Sequence, residues 1–183
     1  MDKKKKIRKS YFLKRKKKYF EVGKKFFYPL IKIIQSEFKT KKIDISIYHP
    51  SSYEVNINRI FDIEFFKKFD FYLPILENNN SMHFYKWVKN DILFVNRYGV
   101  AEPLKSLKKI PNLVLLPLLA FDKNKNRIGY GKGFYDRYLN KYFKAHKKIV
   151  TVGVAFSFQQ YNKLPRTDKD FKLDYIITEK GII

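Results

Sequence analysis

The chain of 183 residues carries 40 Lys and Arg against 17 Asp and Glu, a formal charge of +23, and no cysteine. That length suits one domain with a core of two or three layers, and 45% hydrophobic with 18% aromatic residues exclude generic disorder. The missing cysteine excludes disulfide scaffolds, thiolate metal sites and thiol catalysis, and no apolar run approaches the ~20 residues of a membrane helix.

The longest apolar stretch, Ile110 to Phe121, is broken by Pro111 and Pro117. The basic N-terminus is followed by no apolar secretory segment, so a cytoplasmic protein that binds no membrane is expected. Only seven of the cations are Arg, and Lys, Ile, Asn, Phe and Tyr all abound. All five have A/T-rich codons, so genomic bias accounts for the charge without selection for nucleic acid. Affinity for polyanions follows physically from either cause.

The first 25 residues hold 13 basic and two acidic side chains. Ile7, Tyr11, Phe12, Leu13, Tyr19 and Phe20 make this segment too apolar for a solvated tail. They predict a basic helix over residues 5–20, with Lys4, Arg8 and Arg15 on one side. A second helix follows on the stripe Phe27, Leu30, Ile31, Ile34 and Phe38, with Pro29 starting or kinking it.

Ile43–Tyr48 alternates as a strand, and His49-Pro50-Ser51-Ser52 breaks it. Residues 58–69 read as a helix on Ile60, Phe61, Phe65 and Phe69. Two strands, Phe71–Leu76 and Met82–Trp87, flank a turn at residues 78–81, and a polar stretch with Pro103 follows. Leu113–Leu119 reads as a strand buried on both faces. After a glycine-punctuated loop come a helix at 134–144 and strands at Ile149–Phe156 and Asp174–Thr178. Strands interleaved with helices predict one α/β domain over 1–183, three layers deep, with a largely parallel sheet.

The chemistry concentrates in Arg127-Ile128-Gly129-Tyr130-Gly131-Lys132-Gly133-Phe134-Tyr135-Asp136, between a buried strand and a helix. Glycines lack Cβ, so backbone N–H groups there can approach an anion, and the helix N-terminus adds positive potential. Lys132 and Arg127 supply cations, and Asp136 could hold a Mg²⁺ bridging phosphate oxygens. A Walker A loop would need Ser or Thr where Gly133 stands, and a Rossmann fingerprint spaces its last two glycines wider than Gly131 and Gly133. An RNA-recognition signature would need Gly or Ala in place of Tyr135. Two alternatives stay open on the glycines alone: a phosphate cradle, or a tight turn with Asp136 as a helix-start residue.

Val114-Leu115-Leu116-Pro117-Leu118-Leu119-Ala120-Phe121-Asp122, followed after a short turn by Arg127 through Arg137, closely resembles the signature of the 5-formyltetrahydrofolate cyclo-ligases. The resemblance extends to Asn96 through Pro103, to the aromatic strand His83–Trp87, and to the loop Tyr48 through Val55. Gly153-Val154-Ala155-Phe156 and Asp170 through Asp174 match further pieces. It implies ATP-dependent cyclisation of 5-formyltetrahydrofolate to 5,10-methenyltetrahydrofolate, with release of ADP and phosphate.

The resemblance assigns roles position by position. Lys4, Lys5, Lys6, Ile7 and Arg8 fall in the N-terminal ATP-contacting cluster. Arg127, Ile128, Gly129, Tyr130, Gly131, Lys132, Gly133, Phe134 and Tyr135 match the nucleotide loop, of which Arg127, Lys132 and Tyr135 are the catalytic candidates. Tyr130 to Phe134 also match positions that approach the folate, along with His49, Glu54 and Trp87. Asp136 and Asp170 match the magnesium carboxylates. Phe134 stands where the family usually has Tyr, Lys169 where many members have His, and Ala101 where Pro is usual.

Asp122 reads as a turn residue, Asp174 as structural, and His146 as without a role. The protein is expected to act as a monomer on ATP and the folate, with no specific nucleic acid. The rivals are a basic nucleic-acid-binding module and a relative that binds folate or nucleotide without turnover.

Overall fold

The computed structural model describes residues 2–39, 41–77, 80–144 and 148–183. In chain order its elements are α1 (Lys3–Lys18), α2 (Tyr28–Phe38), β1 (Asp44–Ser46), β2 (Asp70–Leu76), β3 (Met82–Trp87), β4 (Leu93–Val95) and β5 (Ala101–Pro103). They continue as β6 (Lys108–Lys109), β7 (Leu113–Pro117), β8 (Ala120–Phe121), β9 (Arg127–Ile128), α3 (Phe134–Lys144), β10 (Val150–Val154), β11 (Tyr175–Thr178) and β12 (Gly181–Ile182).

An eight-stranded sheet runs in the order β12-β11-β10-β7-β1-β2-β3-β6. The five strands from β11 to β2 pair in parallel, and β12, β3 and β6 add antiparallel edges. Alternation along β7 assembles the layers: Leu113 and Leu115 face one core with α2, whereas Val114 and Leu116 face the other with α3. The expected three-layer α/β architecture with a largely parallel sheet is what the chain adopts. Such a doubly covered sheet needs strands buried on both faces, as β7 and β10 are.

Pro29 sits in the first turn of α2 and starts it. The buried stripe is Leu30, Ile33, Ile34 and Phe38, each contributing about 1.5–3 kcal/mol relative to exposure. The helix expected over 58–69 is instead two 3₁₀ segments, Ile57–Asp62 and Glu64–Phe66, parted by extended Ile63. The reason lies in the spacing. Ile57, Ile60, Ile63, Phe66 and Phe69 are all buried, a strict period of three that suits i→i+3 winding and not an α-helix. The polar stretch after Trp87 contains the hairpin β4–β5 and the edge strand β6. Asn78, Asn79 and His146 lie outside the described residues.

α1 is capped by Asp2, whose carboxylate accepts the Lys4 N–H at 3.0 Å. Its basic last turn complements the helix dipole, but the lysines of its first turn oppose it, typically by about 0.3–1 kcal/mol. Of these lysines Lys4 lines the cavity beside the helix, and Lys3, Lys5 and Lys6 are exposed. Ile7 and Tyr11 pack α1 onto Leu119, Ala120, Ile128 and Leu164.

Candidate functional site

The chain leaves β1 for β2 on one side, then returns past it to lay β7 and β10 on the other. Their carboxyl ends therefore face a crevice where the winding reverses, the usual ligand position in such sheets. A cavity of about 440 Å³ occupies it, within the range of small-molecule sites. Its walls include Tyr48, His49 and Glu54 after β1, Pro74 and Leu76 of β2, Pro117 of β7, the loop Arg127 to Asp136, Lys4 and Arg8 of α1, and Asp170.

The loop packs against the Arg8 side chain of α1. Arg8 Nε donates to the Gly129 carbonyl at 3.0 Å, and a Cβ on Gly131 would lie 3.0 Å from the Arg8 guanidinium carbon. Gly131 and Gly133 have φ of +97° and +69°, left-handed values that favour glycine. Gly133 then starts α3, its carbonyl accepting the Arg137 N–H at 3.0 Å. No backbone N–H from Tyr130 to Gly133 finds an acceptor among the described residues, so this helix entrance keeps donors for an anion. Lys132 is exposed, its ammonium 5.5 Å from the centre of the Tyr98 ring.

Both acidic candidates are paired with cations. Arg127 Nη2 donates to Asp136 Oδ1 at 2.7 Å, and the Phe171 N–H donates to the same oxygen at 3.1 Å. Lys4 Nζ donates to Asp170 Oδ2 at 2.5 Å, together with the N–H and hydroxyl of Thr167. Burial pushes the Asp170 carboxyl up, but those donors outweigh it and hold it below its ordinary range. Asp136 Oδ2 and Asp170 Oδ1 accept no hydrogen bond among the described residues. Both carboxylates line the same cavity, and carboxylate oxygens are the donor type that Mg²⁺ takes alongside phosphate and water. Among the described residues no group of three or more His, Cys, Asp or Glu could hold a metal by itself.

At the other end of the cavity lies Glu54, 6% exposed. Its Oε1 accepts from the Tyr130 hydroxyl at 2.7 Å, and its Oε2 from the Ser51 N–H at 3.0 Å. Burial raises its carboxyl above the ordinary range, against the opposing pull of Tyr130, Arg15 and Ser51. Burial likewise lowers the His49 imidazole, opposed by a backbone bond at Pro50. Tyr135 places a buried hydroxyl on the wall, and among the described residues neither it nor Arg127 Nε has a hydrogen-bond partner. Buried polar atoms are seldom left so unless a ligand or water completes them.

The structure gathers Lys4, Arg8, His49, Glu54, Arg127 to Asp136 and Asp170 around one cavity. It does not gather the remainder. Lys5 and Lys6 point to solvent, and Ile7 is core. Trp87 is 6% exposed in the core against Phe61, its Nε1 donating to the Asp91 carbonyl at 3.3 Å. β3 turns this side chain to the α2 face of the sheet, away from the cavity.

Phe134 is 8% exposed on the cavity wall, edge-on to Tyr98. Asp122 caps its own turn through Asn124 and Asn126, and Asp174 binds Thr151. Sequence reasoning missed Tyr98, Gly99 and Val100 as wall residues. Their hairpin is pinned by Glu102, which accepts from the Leu76 N–H at 2.6 Å and from Asn96 at 2.7 Å. Sequence reasoning places Arg15 with Lys4 and Arg8 on one side of the basic helix but gives it no role, although this residue continues the Ile7–Tyr11 stripe one turn further.

A family model described as the 5-formyltetrahydrofolate cyclo-ligase family matches residues 2–179. The 5-formyltetrahydrofolate cyclo-ligase of Mycoplasma pneumoniae is 32% identical over 139 residues, covering 74% of this chain and 73% of that one. A probable 5-formyltetrahydrofolate cyclo-ligase of Schizosaccharomyces pombe is 28% identical over 145 residues, or 71% of each chain. Among solved structures, the 5,10-methenyltetrahydrofolate synthetase of Aquifex aeolicus superposes with a TM-score of 0.73 at 30% identity, covering 98% of this chain and 91% of that one. Among the described residues no helix is long and apolar enough to cross a membrane.

Proposed function

The chain belongs to the 5-formyltetrahydrofolate cyclo-ligase family, and from that membership we propose that it closes 5-formyltetrahydrofolate to 5,10-methenyltetrahydrofolate with ATP in this cavity. The observation that carries the proposal is the meeting, around one cavity, of a cationic glycine loop with a buried carboxylate. One end suits a triphosphate. The other suits a heterocycle rich in N–H donors.

An N-formyl oxygen is a poor leaving group, and its carbon is a weak electrophile. Transfer of the ATP γ-phosphoryl to that oxygen corrects both faults. N10 then attacks the formyl carbon, the N10 proton leaves to solvent, and phosphate departs as the amidinium ring closes. Catalysis of this kind rests on positioning and on neutralising charge, so no covalent nucleophile is needed.

Arg8, Arg127 and the loop N–H groups hold the phosphates, with Lys132 reaching the charge that develops on the γ-phosphoryl. The Tyr135 hydroxyl, buried without a partner among the described residues, takes a polar atom of the reacting pair. Glu54 accepts from the pterin amino and ring N–H groups, and His49, Tyr130 and Phe134 flank it. Asp136 and Asp170 would hold Mg²⁺, which when bound neutralises phosphate oxygens.

The test is direct. The protein is incubated with ATP, Mg²⁺ and 5-formyltetrahydrofolate, and ultraviolet absorbance of the methenyl product is followed. Absorbance that grows only when all three are present is the expected result. No product under conditions where a working cyclo-ligase yields it would refute the proposal.

A further inference from the structure

Arg15 is the largest fully buried side chain described, 1% exposed, in a helix whose other arginine and lysines reach solvent or the cavity. It ends the stripe that Ile7 and Tyr11 begin. Its Nη1 donates to the Leu118 carbonyl at 3.1 Å and its Nη2 to the Ser52 carbonyl at 2.7 Å. Nη2 also donates to the Tyr130 hydroxyl, and the guanidinium carbon lies 5.6 Å from the centre of the Tyr130 ring. Arg15 thus fastens α1 to the end of β7, to the Glu54 loop and to the glycine loop.

A purely structural arginine would be satisfied by carbonyls. The third contact has a different logic. Guanidinium has no acceptor, so the Tyr130 oxygen must accept from Arg15 and spend its single proton on Glu54. The direction of the chain Arg15 → Tyr130 → Glu54 is therefore fixed. Tyr130 is 45% exposed while its hydroxyl makes these bonds. A buried guanidinium also needs a countercharge, and Glu54 is the buried carboxylate one hydroxyl away.

We propose that Arg15 is a positioning residue for the folate end of the site, aiming the Tyr130 hydroxyl at Glu54 and keeping that carboxylate ionised for the pterin. The inference rests on the assignment of Glu54 as the pterin acceptor. The titratable groups facing Glu54 are Tyr130 from the glycine loop, Tyr135 from α3, Tyr48 from the segment after β1, and Arg15 from α1. Burial, joined by the charge of Glu54, pushes all three phenols up, so they stay neutral through the physiological range. Arg15 is the permanent cation of the group. Without it, burial dominates Glu54 further and the carboxyl takes its proton at higher pH.

The experiment measures the dissociation constant of 5-formyltetrahydrofolate by calorimetry, without ATP, for the full chain and for Arg15→Met, Arg15→Lys and Tyr130→Phe, between about pH 5.5 and 9. In Arg15→Met the acid-side loss of affinity should move upward by about one pH unit. Affinity should weaken by up to about tenfold on the acid side of both midpoints and recover in alkali. Arg15→Lys should keep the midpoint near that of the parent. Tyr130→Phe, which keeps the ring, should shift it upward too and carries the test if Arg15→Met does not fold. Affinity lost equally at every pH, or unchanged, would overturn the role of Arg15. Glu54→Gln separates the two claims: full folate affinity in that variant removes the pterin role of Glu54 and the Arg15 role with it.

Discussion

Arg127 and Asp136 form a 2.7 Å ion pair in which the arginine is the buried member, its side chain 5% exposed against 24% for the aspartate. The pair sits on the cavity wall, so it serves the fold and the site at once. Asp136→Asn should leave a buried guanidinium without its countercharge and cost about 2–3 kcal/mol, less than a wholly buried pair because the aspartate is partly solvated. The same variant should lose at least about 100-fold in turnover. Thermal unfolding and the methenyl assay separate the effects: adding Arg127→Met should restore stability and leave turnover lost. A double variant that regains activity would show that the carboxylate has no part in the reaction.

Gly131→Ala tests the loop itself. Its φ of +97° is strained for alanine, and the new Cβ would press on the Arg8 guanidinium at 3.0–3.3 Å. The strain costs about 1–2 kcal/mol, and the arginine must leave its place against Gly129. ATP affinity, read by calorimetry, should fall about tenfold.

A pH-dependent contribution to stability is expected far from the site. Asp70, at the start of β2, accepts from Lys86 at 3.0 Å and from Lys42 at 3.0 Å. The Lys86 bond first, then that of Lys42, lowers its carboxyl below the ordinary range. A depressed folded pKa gives stability that is present above the unfolded pKa and is lost as pH falls through the folded one. Asp70→Asn should therefore cost up to about 1 kcal/mol at neutral pH. Urea unfolding should show this gap closing below about pH 4, the range of an unperturbed aspartate.

Gly153→Ala should destabilise by overpacking. A Cβ there would fall 2.8 Å from Leu118 and from Leu173 and 3.3 Å from Ile176, all core side chains. The cost is about 1–3 kcal/mol, with folate and ATP affinities of the folded protein unchanged. A melting temperature equal to the parent's would mean that those leucines yield freely.

The central sheet is legible in the sequence because β7 is an apolar run and β10 and β11 are rich in β-branched residues, and β3 falls where alternation places it. The 3₁₀ run is harder. Its buried residues recur every three positions, but crowded phenylalanines at 61 and 65 supply an equally good helical stripe. Only packing decides between them. The glycine loop and Asp136 are legible because their chemistry is local.

The hairpin wall at Tyr98 to Val100 is not, since two strands of three residues leave almost no periodic signal. Trp87 is placed by the resemblance alone, and strand parity turns it to the face of the sheet opposite Met82 and Phe84. Arg15 is hidden among lysines of the same charge, yet the scarcity of arginine is itself a signal. Where lysine is the default cation, an arginine marks a place that needs the planar fork, as at Arg8, Arg15 and Arg127.

β1 has a second consequence, in time and not in space. It pairs on one side with β2, close in sequence, and on the other with β7, where Ile45 meets Leu113. During synthesis the first of these partners emerges long before the second. Until Leu113 to Pro117 exist, β1 presents an open edge of unpaired N–H and C=O groups, the kind of template that recruits another chain. Lys41 and Lys42, exposed three and two residues before it, put two positive charges at the entrance to that strand while its edge is bare.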